Sequence, residues 1–201
     1  MVLVTISNMK PARLLASVFA FWFVALTSAV LAHEDDDASV HMTKDEALET
    51  VAFPDSDRIE RRTLFLEPEQ LKAFSQRAYS KVESRLQTVY VGWKEDAVMG
   101  YAVIDTDIVR SKAATYIAIL TPQGSLRDFR ILAWQEPPEY EPPQRWIDRF
   151  IGLNLDKSPL RVGQGVDAIS GATLSVRMLA EHVRRSLALY DVLLATDNND
   201  K

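Results

Sequence analysis

The chain contains no cysteine. That excludes disulfides, thiol nucleophiles, thiolate-held iron–sulfur clusters and the Cys-x-x-Cys-His attachment of a c-type haem. Any electron-handling role must therefore use a cofactor held without thiolates. Histidine is almost as scarce, three in 201 residues, which leaves few side chains for general-base work, and no Ser/His/Asp spacing suggests a hydrolase. Basic residues are in deficit: 23 Lys and Arg against 28 Asp and Glu give a formal net charge of −5. A surface of that balance is poorly suited to a phosphate backbone and argues against a nucleic-acid binder. The pairs Arg61-Arg62 and Arg184-Arg185 read as solvated faces. Seven glycines and nine prolines are too few for a fibrous or disordered chain. What is left is ordinary globular composition, 47% hydrophobic and 25% charged, enough for one domain with a core.

A lack of disulfides does not place a protein in the cytosol, because export permits them without requiring them. The first 32 residues speak to the compartment more directly. Lys10 and Arg13 precede the uncharged apolar run Leu14 to Ala32, which ends Ala29-Val30-Leu31-Ala32 ahead of the acidic His33-Glu34-Asp35-Asp36-Asp37. This order predicts a secretory signal peptide over 1–32, cleaved after Ala32. An uncleaved anchor is the competing expectation, since the run is close to the ~20 residues needed to span a bilayer. In both cases the basic residues stay inside and the remainder is exported, to the periplasm or the outer face of a bacterial inner membrane. Cleavage removes two positive charges and no negative ones, leaving a more acidic mature chain.

Residues 33–85 read as a polar leader and a helical lead-in. His33 and His41 near three aspartates could offer copper or zinc an amine–imidazole–carboxylate set, but a solvated leader accounts for the same residues and is the expectation here. Thr43-Lys44-Asp45-Glu46 fits a capping box opening a short helix to about Val51, stopped by Pro54. Pro68 opens a second helix with Leu71, Phe74, Ala78 and Val82 on one stripe.

From Leu86 the period becomes two. Leu86 to Lys94, Val98 to Ile108, Ala113 to Leu120 and Leu126 to Trp134 predict four strands with short connections, hence an antiparallel meander. The proline-rich stretch Gln135 to Pro143 can be neither a central strand nor a helix interior. A short helix from Gln144 to Phe150 follows. The last element is a long helix from Leu174 to about Leu194, with Val176, Ala180, Val183, Leu187, Tyr190 and Leu194 on one stripe and Arg177, Glu181, Arg184 and Asp191 off it. The fold class is α+β, an antiparallel meander packed by helices. Residues 86–194 form the principal domain and 195–201 a polar tail.

Asp167-Ala168-Ile169-Ser170-Gly171-Ala172-Thr173 stands directly before that helix. A threonine hydroxyl at the mouth of a helix can form an ester, and free N–H groups there favour a phosphate. Gly171 can adopt positive φ and admit close approach, and Ala172 leaves Thr173 sterically open. Ser170 or Thr173 as a plain N-cap would account for the same four letters.

The segment resembles the attachment motif of the FMN-binding domain family, which includes the flavin-carrying subunits of sodium-translocating NADH:quinone reductases and of Rnf-type electron-transport complexes. The resemblance extends more loosely from about Leu86 to Asp191. It implies FMN joined by a phosphoester to Thr173, with Ser170, Gly171, Ala172 and Asp167 in the binding motif. It also implies a flavin transferase as partner, taking FMN from FAD with magnesium and served by Asp167. Family members carry a Glu-Thr-Pro-Gly-type loop against the flavin, and Gln135-Glu136-Pro137-Pro138 keeps only Glu136 and Pro137 of it. Trp134, Tyr140 and Trp146 are aromatics able to stack on a flavin ring. The implied role is an exported electron carrier, without a substrate of its own, between donors and acceptors that the sequence does not name. A non-catalytic assembly or docking module of a membrane redox complex is the alternative, and a flavin reductase acting on a small acceptor a third possibility.

Overall fold

The computed structural model describes residues 39–195. The expected signal segment 1–32, His33 and the tail beyond 195 lie outside the described residues. The four expected strands are present as β3 (Leu86–Lys94), β4 (Ala97–Ile108), β5 (Ala113–Leu120) and β6 (Leu126–Trp134), each antiparallel to the next. Their alternation fills two faces. Ala114, Tyr116, Ala118 and Leu120 of β5 enter one core, whereas Ile117 and Ile119 enter the other. Both faces are covered, so the period-two signal is apolar on either side.

The sheet has six strands, in the order β1-β6-β5-β4-β3-β2. Its two edges come from the segment expected to be leader and helical lead-in. β1 (Ser39–Val40) pairs with the end of β6, and β2 (Arg58–Phe65) pairs with Leu86 to Trp93 of β3. β2 is Arg-Ile-Glu-Arg-Arg-Thr-Leu-Phe, charged as an edge strand usually is. Ile59 and Leu64 pack at the edges of the core, and the rest of its contacts are polar and cationic: the Trp93 indole donates to Glu60 at 2.9 Å, and the Arg58 and Arg62 guanidinium groups lie 5.1 and 5.6 Å over the Trp93 ring.

Helices cover both faces. On one side α1 (Lys44–Glu46) continues as a π-helical turn, Ala47–Ala52, whose Ala47, Leu48 and Ala52 pack with Phe53 on Tyr90, Ala102, Ile117 and Ile119. Thr43 caps it, its hydroxyl accepting from the Glu46 N–H at 3.3 Å. On the other side lies α4 (Thr173–Leu189), extended by the turn Tyr190–Leu194. The expected stripe from Val176 to Leu194 is buried throughout. α2 (Pro68–Ala78) packs beside α4, with Leu66, Phe74, Ala78 and Val82 against Ala188 and Leu189. A short helix, α3 (Gln144–Ile147), buries Trp146 and Ile147 against the same face. The α+β class is therefore as expected. Among the described residues, no helix is long and apolar enough to cross a membrane.

Gly92 and Gly100 stand opposite each other in β3 and β4 and leave a slot for the Phe53 ring. A Cβ on Gly92 would lie 2.2 Å from a carbon of that ring, and Phe53 is only 1% exposed and has nowhere to move. Gly92→Ala is expected to destabilise the domain by about 1–3 kcal/mol, the usual cost of overpacking, as measured by urea denaturation.

The expectation that Arg184-Arg185 is a solvated face is corrected, since Arg185 is half-buried and pairs with Asp105 at 3.3 Å. Arg184 is not on a solvated face: it is 8% exposed, and its guanidinium donates from Nε to the Ala78 carbonyl at 3.1 Å and from Nη1 to the Leu160 carbonyl at 2.6 Å. α4 is covered by α2 on the flank where its helical wheel had suggested solvent, so the side chain ties two carbonyls that would otherwise lack a donor.

Candidate functional site

The N-terminus of α4 is bare. Ala172 is its N-cap and supplies no side-chain bond, so neither Ser170 nor Thr173 caps the helix. Thr173 is the first helical residue. Its side chain is exposed and makes no hydrogen bond among the described residues. Intrahelical bonding begins at the Val176 N–H, which donates to Ala172 at 3.0 Å. The N–H groups of Thr173, Leu174 and Ser175 thus remain without backbone partners, as helix geometry requires. They coincide with the positive end of a 17-residue helix. Gly171 sits just before with φ +82, and nothing lies within 4 Å of where its Cβ would be. Ser170 is exposed on the same turn.

Two adjoining cavities open at this terminus. The first, about 360 Å³, is lined by Gly171, Ala172, Thr173 and Ser175 and walled by Arg110, Tyr140 and Leu174. The second, about 530 Å³, shares those three wall residues and adds Ser111, Lys112, Glu136 and Pro137. Ser175 is fully buried, and its hydroxyl has no hydrogen-bond partner among the described residues. Arg110 lies with its guanidinium carbon 4.2 Å from the centre of the Tyr140 ring. The Tyr140 hydroxyl, and more weakly Glu136 and Glu139, hold the guanidinium above its ordinary pKa.

Glu136 does stand at this cavity, but its carboxylate is already engaged. Oε1 accepts from the backbone N–H groups of Arg110, Ser111 and Lys112 at 3.0, 2.6 and 2.8 Å, clamping the β4–β5 turn. Burial alone would raise its pKa. The three N–H donors, with the Arg110 charge, outweigh that and hold it below the usual carboxylate value. A depressed folded pKa contributes stability above the unfolded value of 4.5 and loses it as pH falls through the folded value. Glu136→Gln is accordingly expected to cost about 1–2 kcal/mol at pH 7, with the gap from the parent closing below pH 4.5. Chemical denaturation across that range checks both parts.

Of the three candidate aromatics, only Tyr140 faces the cavities. Trp134 is 1% exposed and donates to the Pro137 carbonyl at 3.2 Å, and Trp146 is 6% exposed and donates to the Asp167 carbonyl at 2.9 Å. Both indoles pin the backbone around the site and are not open to a stacked ligand. Asp167 is exposed, paired through its carboxylate with Arg149, on a separate depression of about 400 Å³ formed with Arg145, Trp146, Ala168 and Ile169. It is near Thr173 in sequence but does not line the two cavities at α4.

Two features escaped the sequence. Arg110 is a turn residue 63 positions before Thr173, and no periodicity marks it. His182, on α4, is buried with its two ring nitrogens each 3.4 Å from a carboxylate, Nδ1 facing Asp105 and Nε2 facing Asp107. Arg185 also pairs with Asp105 at 3.3 Å, and the Tyr116 ring lies 4.3 Å from the imidazole. Burial, then Asp107 and Asp105, push the Tyr116 phenol well above its usual value. The Asp-Thr-Asp alternation in an otherwise apolar strand is the signal that could have suggested this cluster. It lies nine residues along α4 from Thr173, about 14 Å by helix rise.

His41, a candidate metal ligand, instead pairs with Glu141 at 3.1 Å, and no cluster able to hold a metal ion occurs among the described residues. Compared with known proteins, the chain matches no family model and no curated protein.

Proposed function

We propose that this chain is an exported flavoprotein that carries FMN on Thr173 and relays electrons between extracytoplasmic or membrane redox partners. The observation that carries the proposal is the bare start of α4, where an exposed, unbonded Thr173 hydroxyl adjoins three free N–H groups, after a glycine at positive φ. A hydroxyl used as a cap would not be free to react. The buried, unpartnered Ser175 hydroxyl and the Arg110 cation in the same cavity suit a phosphorylated ligand. The motif's resemblance to covalent-flavin proteins selects FMN among such ligands.

In attachment, Thr173 Oγ forms a bond to the FMN phosphorus of FAD. The pyrophosphate bond breaks, AMP leaves, and the hydroxyl proton passes to a base on the flavin transferase or to water. Nothing in the cavity resembles such a base, so the catalyst is the partner enzyme. Asp167 is exposed beside Arg149 and outside the two cavities, which supports a role in recognition by that enzyme and not in holding the phosphate, whose charge it would repel. Once bound, the flavin supplies the redox chemistry, and the protein binds, orients and tunes it. The free N–H groups of residues 173–175 would hold the phosphate, Gly171 would leave its approach open, and Arg110, Tyr140 and Leu174 would wall the space beyond. A tether suits an exported protein, which cannot draw on a cytoplasmic flavin pool.

The test is to export the chain together with a flavin transferase and measure intact mass. A gain of one FMN less one water, with flavin fluorescence surviving denaturation on a gel, is the expected result. Exported protein that stays at its unmodified mass would favour an assembly or docking module.

A further inference from the structure

We propose that Arg110, held against Tyr140, is the fixed cation of the flavin ring site and sets its reduction potential. The inference rests on the attachment of FMN at Thr173. An ester there places its phosphate in the smaller cavity, among the free N–H groups of α4. The larger cavity is the next space along the shared wall of Arg110, Tyr140 and Leu174, and the two together are of ordinary size for a small-molecule site. Its surface is suited to an aromatic ring: Leu174 is 48% exposed and adjoins Pro137 and Tyr140.

The Arg110 guanidinium rests 4.2 Å over one aromatic face, which leaves its opposite face able to stack on a second planar group. The turn that carries it is anchored, because the Glu136 carboxylate accepts from the N–H groups of Arg110, Ser111 and Lys112. That bonding turns the one carboxylate lining the cavity to three backbone N–H donors, while Arg110 is the charged side chain on the wall that both cavities share. Two electrons and one proton convert a neutral oxidised flavin ring into an anionic reduced one. A permanent positive charge in contact with the ring favours the anionic form. Arg110 therefore raises the potential above that of the same ring without it.

The experiment is a spectroelectrochemical titration of FMN-loaded protein, each sample first shown by mass to carry one flavin. Arg110→Gln is expected to weaken the preference for the reduced form at least tenfold, which for a two-electron couple lowers the midpoint by about 30 mV. Arg110→Lys should recover part of the shift. Tyr140→Leu, which removes the surface under the guanidinium, should lower the midpoint in the same direction. A loaded Arg110→Gln protein with an unmoved midpoint overturns the inference. So does a folded Arg110→Gln protein that takes up no flavin, since it would assign Arg110 to the attachment step. Parent protein that never loads rejects the attachment at Thr173 itself and is distinguished by its unmodified mass.

Discussion

Thr173→Ala is expected to abolish covalent flavin completely and to leave stability within about 0.5 kcal/mol of the parent. The two effects separate because the Thr173 side chain is exposed, hydrogen-bonds to nothing among the described residues and is not the N-cap of α4. Removing its hydroxyl costs no structural contact, and alanine is the better helix former. Thr173→Ser should retain partial loading, since it keeps the nucleophilic oxygen but loses the methyl group that restricts χ1. Asp167→Ala should reduce loading with little effect on folding, because among the described residues its only side-chain partner is Arg149 at the exposed surface. In-gel fluorescence and peptide mapping report all three. Flavin that survives denaturation in Thr173→Ala would falsify the assignment and make Ser170, exposed on the same turn, the next candidate.

The second large effect concerns the helix that presents the site. Leu187 is fully buried between α4 and the sheet, and Leu187→Asp should cost about 4 kcal/mol or more, from a lost core side chain and an unpaired charge in its place. That approaches the whole stability of an ordinary domain, so failure to fold is an acceptable form of the result. Arg184→Ala is expected to cost about 2–4 kcal/mol. It leaves the Ala78 and Leu160 carbonyls without their donor and opens a gap between α4 and α2. Arg177, exposed on the same helix, is the control, and its replacement by alanine should change stability by less than about 0.5 kcal/mol. Equal and small effects at positions 184 and 177 in guanidinium chloride titrations would show that the contact between α4 and α2 is not as described.

These two residues also divide what a sequence records from what it omits. The bounds of β3, β5 and β6 and the stripe of α4 were legible because each is local: burial on one face repeats every two or 3.6 residues and leaves its period in the chain. The Ser-Gly-Ala-Thr placement before a helix was legible for the same reason, and Gly171 adopts the positive φ expected of it. β2 was not legible, because an edge strand held by Glu60–Trp93 bonding and guanidinium–indole contacts leaves no apolar alternation. Arg184 was misread because the helical period locates the face toward the sheet, whereas α2, about a hundred residues earlier, covers the neighbouring flank. The same limit applies at the site. By itself the sequence determined an α+β meander with a long terminal helix and a reactive-looking threonine at its start. Only the tertiary structure decided that the hydroxyl is free and not a cap. It alone brought Arg110, Tyr140 and Glu136 from distant loops to the walls beside it, because long-range packing follows from whole-chain topology and leaves no periodic trace.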